Sequence, residues 1–413
     1  MSRTATYRFI AQRIASPQMQ KNVGLGFSVL VSKMAVVSVA ITIVVILLSF
    51  AVLLGFKNAI KSKIFSFTGH IRIVKTSNNQ SFEEPAVPIQ TEIYQKRKNV
   101  PFIEHLQVYA QKPGVIKVKE NVQGVVLKGV GEDYRKEDFL ENLQEGRWLN
   151  FKNGTESKET LISRSIARKL NLKLGDSLIV IFVQEPPRFR KLAVVGIYET
   201  GVGIFDEKFL ITDLKTIQKV NNWGDSLVSG YEIFLKDFDK LIENSRELEN
   251  LLPYDLSQQP VTAKHFDTFE WLELLDNNVV IILVIILAVT AFNIISVLLI
   301  MMMERTNMIG ILKALGAENK QIERIFFLHA LHIVVKGFLW GNLLAYLLYL
   351  IEHYGKLIPL DTQNYLVSYV PVQWNWLVWI LANIGTFLLI SLVMWLPIRF
   401  VVKIPPIKAI RFV

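Results

Sequence analysis

At 413 residues, with 51% hydrophobic residues, 20% charged residues and a mean hydropathy of +0.33, the chain is too apolar for a soluble protein of its length. It has no cysteine, which excludes disulfides, thiol chemistry and iron–sulfur clusters. The net charge of +10 is spread over short segments rather than gathered on one soluble module, which argues against nucleic-acid binding.

Residues 1–33 carry Arg3, Arg8, Arg13, Lys21 and Lys33 and no acid, a basic amphipathic N-terminal segment. Residues 34–56 then run without a charge between Lys33 and Lys57. About 20 residues cross a hydrocarbon core of about 30 Å, so this is the first expected membrane span. The run outlasts a signal-peptide core of roughly 7–15 residues and ends without a small-x-small cleavage site, so the span is expected to be retained.

Residues 57–276 hold 31 basic and 31 acidic residues and so are neutral. Alternating or β-branched runs predict strands over 70–76, 122–130, 177–183, 189–198 and 231–235. Helical patterns cover 102–111, 163–171, 214–220 and 238–251. The mixed order predicts an α+β domain large enough for its own core. Residues 78–88 read as a surface loop. Between two strand signals stand Pro186, Pro187, Arg188 and Phe189. Prolines cannot donate to a ladder, so residues 183–191 read either as a projecting hairpin tip or as an ordinary turn.

A second span is expected over 277–303, a connection over 304–324, a third span over 325–351, a loop over 352–373, a fourth span over 374–398 and a tail over 399–413. The segments 1–33, 304–324 and 399–413 hold five, four and four basic residues, whereas 352–373 holds one. Positive charge collects in short cytoplasmic loops, so both termini are expected in the cytoplasm and residues 57–276 outside it. Lys336 interrupts the third span. A lysine at mid-membrane costs about 2.5–3.5 kcal/mol, so it is expected either to face protein or water or to snorkel from a shifted span. Gly337 and Gly341, four residues apart, predict a close helix contact.

The six histidines form no zinc spacing, and there is no Gly-x-x-x-x-Gly-Lys-Ser/Thr phosphate loop. No catalytic residue and no metal ligand is assigned, and the chain is expected to bind no ATP itself. Ile309, Leu312 and Leu315 or Gly316 recur at helical spacing in a short amphipathic helix that ends at Gly316, with Arg305 and Lys313 on other faces. By residues alone, this helix is either a lever between two spans or a helix lying on headgroups.

The segment from Phe292-Asn293-Ile-Ile through Glu304-Arg305 to Lys313-Ala-Leu-Gly316-Ala317 resembles the FtsX/MacB-like ABC transporter permeases. Its Phe-Asn-Ile-Ile start is most similar to the transmembrane subunits of the lipoprotein-releasing (Lol) system. Phe9-Ile-Ala11, Gly55-Phe56, the stretch from Ala167 to Gly175-Asp176, and Pro405 through Phe412 add matches over the whole chain. Met308 stands where the family has an acidic residue, and the Pro186-Pro187 hairpin is short beside the hook of Lol permeases.

The resemblance implies a non-catalytic permease with four membrane helices and a periplasmic α+β domain between the first two, in a bacterial inner membrane. It implies a separate cytoplasmic ATPase, which binds the ATP and magnesium and docks on Glu304, Arg305, Ile309, Leu312, Lys313 and Gly316. A second permease copy or paralogue, membrane lipids and a periplasmic lipoprotein carrier at Pro186, Pro187, Arg188 and Phe189 complete the partners. The implied cargo path between the first two helices takes Phe50, Leu53 and Leu54 from one and Val280, Leu283 and Leu287 from the other. Extraction of lipoproteins for delivery to the outer membrane is the role implied. An FtsX-like scaffold that activates a wall hydrolase and a MacB-like export permease are the alternatives.

Overall fold

The computed structural model describes residues 26–77, 81–118, 121–151, 155–361 and 365–402. The expected helix near Phe9 and the tail from Pro405 lie outside the described residues. The chain forms two compact units. One contains residues 1–56, 272–358 and 370–413. The other contains Lys57–Trp271 together with Pro359–Tyr369. The stretch 352–373, expected as a plain loop, is therefore divided, and its middle part belongs to the domain.

Helix α1 (Gly26–Thr68) comes first. The domain then runs β1 (Ile71–Lys75), β2 (Val87–Pro88), α2 (Glu92–Lys96), β3 (Ile103–Val118), β4 (Asn121–Val130), α3 (Lys136–Leu140), β5 (Leu143–Gly146) and β6 (Glu159–Ser163). It continues through α4 (Arg164–Leu170), β7 (Ser177–Phe182), β8 (Arg188–Tyr198), α5 (Gly203–Lys208), β9 (Phe209–Asp213) and α6 (Leu214–Asn221). It closes with β10 (Leu227–Val228), β11 (Gly230–Leu235), α7 (Leu241–Leu251), β12 (Leu256–Pro260) and α8 (Val261–Lys264). Four further helices follow: α9 (Phe266–Glu304), α10 (Thr306–Ala314), α11 (Asn319–Gly355) and α12 (Trp376–Val402).

Ten strands make one mixed sheet in the order β12-β1-β11-β3-β4-β9-β6-β8-β5, with β7 between β3 and β8. The pairs β4–β9 and β6–β8 are parallel, and the others are antiparallel. The expected helix over 102–111 is instead the first half of β3. Phe102, Leu106 and Tyr109 sit at helical spacing, but β11 pairs the segment along one side from Ile103 to Tyr109, and β4 pairs it from Tyr109 onward. Tertiary pairing overrides a local pattern of this kind. Pro113 is tolerated in β3 because it falls where β11 has ended, at Tyr109, and β7 has not begun, at Val115.

The domain core encloses a charged pair. Lys128 on β4 and Glu232 on β11 are both buried, with Nζ 2.7 Å from Oε1. Gln107 Nε2 donates to Glu232 Oε2 at 2.9 Å, and Lys128 also donates to the Phe67 carbonyl. Burial pushes the lysine pKa down against the pull of Glu232.

The membrane unit is built from helices that are apolar on nearly every face. α1, α9, α11 and α12 are each long and apolar enough to cross a bilayer. α9 begins well before residue 277, and α1 continues to Thr68, so the spans are parts of longer helices. Val39, Leu298, Phe326 and Met394, one from each helix, meet in the bundle core. Gly337 and Gly341 of α11 make the expected close contact. A Cβ on Gly337 would lie 2.6 Å from Val39 Cβ, and one on Gly341 would lie 2.8 Å from the Ala40 carbonyl oxygen. Tyr346, Tyr349, Trp374, Trp376 and Trp379 stack edge-on and face-on at one end of the bundle, the composition of an interfacial aromatic belt.

Candidate functional site

The connection between α9 and α11 is a turn, a short helix and a second turn. Arg305, at φ −106° and ψ 16°, breaks the long α9, and α10 starts at once. Its C-terminus is a Schellman closure: the Gly316 N–H donates to the Lys313 carbonyl at 3.0 Å and the Ala317 N–H to the Leu312 carbonyl at 2.9 Å. Gly316, at φ +91°, supplies the left-handed residue that this closure needs. The Glu318 N–H then donates to Gln321 Oε1 at 3.2 Å as α11 begins.

The expected apolar stripe does not face one way. Ile309 is buried against Met302, Ile322, Phe326, Met394 and Ile398, and so fastens α10 to the bundle core. Leu312 and Lys313 are half-buried, as are Glu304 and Arg305. The large exposed apolar residues are Ile311 and Leu315, which are 59% and 81% exposed and four residues apart on one face. Sequence reasoning missed Ile311. Its i, i+4 spacing to Leu315 is the signal that identifies it.

The expected cargo-path residues are not gathered in one place. Phe50 and Leu54 line a niche with Trp374, Asn375, Val378 and Trp379 at the start of α12, and none of Val280, Leu283 or Leu287 belongs to it. Leu53, Leu283 and Leu287 are half-buried, and Val280 is exposed. The groove between α1 and α9 lies nearer Lys33. It has a volume of about 490 Å³ and is lined by Met34, Val37, Ile41, Ile286, Val289 and Asn293 among others. Thr42 and Thr290 join their hydroxyls across it. Residue spacing could not locate the groove because α1 and α9 are apolar all round, leaving no stripe to read.

The hairpin turn joins β7 and β8, whose last pair is Phe182 and Arg188. Pro186 and Pro187 occupy the turn, with a cis Glu185–Pro186 bond. The turn is tied back rather than standing clear. The Arg188 guanidinium donates to the Lys219 carbonyl at 2.8 Å and to Asn222 Oδ1 at 2.9 Å, both at the end of α6. Val183 and Phe189 remain exposed. Among the described residues, no three His, Asp or Glu side chains gather as metal ligands.

Comparison with known proteins agrees with this architecture. Residues 32–243 match the MacB-like periplasmic core domain family, and residues 280–406 match the FtsX-like permease C-terminal family. The chain is 23% identical over 368 residues to the lipoprotein-releasing system transmembrane protein LolE of Haemophilus influenzae, covering 84% of this chain and 86% of that protein. It is 22% identical over 415 residues to LolC, a protein of the same description from Xylella fastidiosa, covering 94% of this chain and 95% of that one. Among solved structures, the periplasmic region of MacB from Actinobacillus actinomycetemcomitans matches with a TM-score of 0.33 at 16% identity, over 48% of this chain and 92% of that one. The extracellular domain of the transporter YknZ matches with a TM-score of 0.31 at 17% identity, over 46% and 98%. With four apolar helices, a sheet domain inserted after the first and a short helix fastened between the second and third, the chain belongs to the family of membrane permeases that join a MacB-like periplasmic core domain to an FtsX-like C-terminal region.

Proposed function

We propose that the chain is the permease subunit of an ABC transporter that lifts lipoproteins out of a bacterial inner membrane for delivery to the outer membrane. The observation that carries this reading is α10: Ile309 is locked into the bundle core while Ile311 and Leu315 stand exposed on the same short helix. A helix held that rigidly between two spans transmits a push on its outer face to both of them. A separate ATPase, holding ATP and magnesium, supplies the push from the cytoplasm. The termini lie on that side, and the sheet domain lies outside the membrane. The relatives named for lipoprotein release give the cargo class. Removing a lipid anchor from a bilayer costs about 0.8 kcal/mol for each CH₂ withdrawn, which is why ATP is required.

In this reading Ile311 and Leu315 contact the ATPase, with Lys313, Glu304 and Arg305 around them. The cargo enters between α1 and α9, with Leu53, Val280, Leu283 and Leu287 toward the outer leaflet and the Thr42–Thr290 groove below them. A second permease copy or paralogue closes the path. A periplasmic carrier meets the exposed Val183 and Phe189 rather than Arg188, which is engaged with α6.

The test is co-purification of the ATPase with tagged permease carrying Ile311→Asp and Leu315→Asp, together with lipoprotein release from spheroplasts. Loss of the ATPase and of release, with the permease still inserted, is expected. Undiminished ATPase retention would place the docking surface elsewhere. Normal release from cells depleted of this chain would end the lipoprotein reading.

A further inference from the structure

A large cavity of the membrane unit lies between α1 and α11, sharing Lys33, Val37 and Ile41 with the α9 groove. It measures about 780 Å³ and combines two chemistries. At one end stand three side chains that carry or can accept positive charge, Lys33 of α1 and His332 and Lys336 of α11, all exposed to the cavity. Beyond them the walls are apolar. Val37 and Ile41 form one side, and Trp340, Leu344 and Leu348, one turn apart, form the other.

Helix packing sets the depth of the charged end. Gly337 lies against Val36 and Val39, and Gly341 against Ala40 and Ile43. That parallel register puts Lys336 about one helical turn, on the order of 5 Å, beyond Lys33, which bounds the first apolar run. An ammonium at that depth is within reach of the interface along its own stem. That depth favours the shifted-span reading of Lys336. On that reading its charge lies near headgroup level, in the same leaflet as Lys33. From Lys336 to Leu348 the apolar wall of α11 extends on the order of 18 Å, close to the roughly 15 Å of one leaflet's hydrocarbon. Among the described residues, the cavity lining includes no carboxylate.

We propose that this groove binds an anionic phospholipid of the surrounding bilayer, with its phosphate between Lys33, His332 and Lys336 and an acyl chain along Trp340, Leu344 and Leu348. Charge complementarity selects the occupant. A cationic head above a leaflet-long apolar wall fits one negatively charged headgroup with its tail, and leaves a zwitterionic lipid with an ammonium facing lysines. The site shares Lys33, Val37 and Ile41 with the groove between α1 and α9 but takes the rest of its charged end and its tail wall from α11, and the inference does not depend on what the permease transports.

Native mass spectrometry of the delipidated full chain in detergent tests the inference, using dioleoyl-phosphatidylglycerol and dioleoyl-phosphatidylcholine, which share acyl chains and differ in headgroup charge. The wild type is expected to retain the phosphatidylglycerol preferentially. A lysine near an anionic headgroup is worth about fivefold in binding, so Lys33→Gln and Lys336→Gln should each reduce the preference by about that factor. Trp340→Ala should weaken retention of both lipids. Lys320→Gln removes a charge from the same helix outside the cavity and should leave the preference intact. Elution volume and thermal stability in detergent show that each variant is folded. Equal retention of the two lipids, a preference that survives the double lysine variant, or an equal loss with Lys320→Gln overturns the proposal. Displacement of the phosphatidylglycerol by a diacylated peptide at equal concentration overturns it in favour of cargo. Exclusion of both lipids from a dimeric species, with retention on the monomer, overturns it in favour of a second copy of the chain.

Discussion

Asn342 of α11 and Asn383 of α12 exchange hydrogen bonds across the bundle: Asn342 Nδ2 donates to Asn383 Oδ1 at 2.8 Å, and Asn383 Nδ2 donates back to Asn342 Oδ1 at 3.0 Å. Each amide spends its second donor on its own helix, at Phe338 and Trp379. Interhelical pairs of this type are worth about 0.6 kcal/mol on average and about 1.7 at most. Asn383→Leu should therefore destabilise the bundle by about 1 kcal/mol, chiefly because it strands Asn342. The double variant Asn342→Leu, Asn383→Leu should recover part of that loss. Unfolding in mixed detergent micelles measures the coupling. Strictly additive single losses would contradict it.

Gly341 packs where a Cβ would lie 2.8 Å from the Ala40 carbonyl oxygen and from Ile43 Cβ. Gly341→Val should push α1 and α11 apart at a cost of about 1–3 kcal/mol, the usual range for overpacking. Gly385 has open space at the same position and serves as the comparison. The two variants should differ clearly in thermal stability in detergent.

The Lys128–Glu232 pair is buried on both sides. Removing one partner strands the other charge, so Lys128→Met should cost about 3–5 kcal/mol in domain stability. Replacing both residues by apolar ones of similar size should cost less than either single change. Denaturant unfolding of the full chain, followed by tryptophan fluorescence, gives the comparison.

His70 and His265 are half-buried in the domain, and their partial burial, aided by Arg135 near His70 and by Arg72 and Lys264 near His265, lowers each pKa to about 4. The Leu235 N–H donates to His70 Nδ1 at 2.9 Å, which requires that nitrogen to be unprotonated. The folded state thus binds fewer protons than the unfolded chain between pH 6.5 and 4. Stability is complete above about pH 6.5 and falls as the pH drops, by up to about 1.4 kcal/mol per pH unit for each histidine, until it levels near pH 4. His70→Gln should flatten part of that slope. An unchanged slope would show that other groups govern it.

Most of the architecture is legible in the chain because bilayers impose length. Runs such as 34–56 and 277–303 have no other use for so many uncharged residues. Alternation likewise identified β4, β7, β8 and β11, and Gly316 marked the end of α10. Residues 102–111 carry a helical period at Phe102, Leu106 and Tyr109, whereas the β11 ladder that claims residues 103–109 comes from residues more than a hundred positions away.

The functional surfaces follow the same division. The sequence determined that α10 exists, that it is amphipathic and that Gly337 and Gly341 form a contact face, since spacing along one helix fixes which side chains share a side. Only the tertiary structure decided that Ile309 turns inward while Ile311 and Leu315 turn outward. It alone assigned Phe50 and Leu54 to the α12 niche and brought Lys33 and Lys336 to line one open groove. Those outcomes depend on which helix stands beside which and at what register. An apolar helix carries the same composition on every face, so close packing, rather than local pattern, chooses its neighbours.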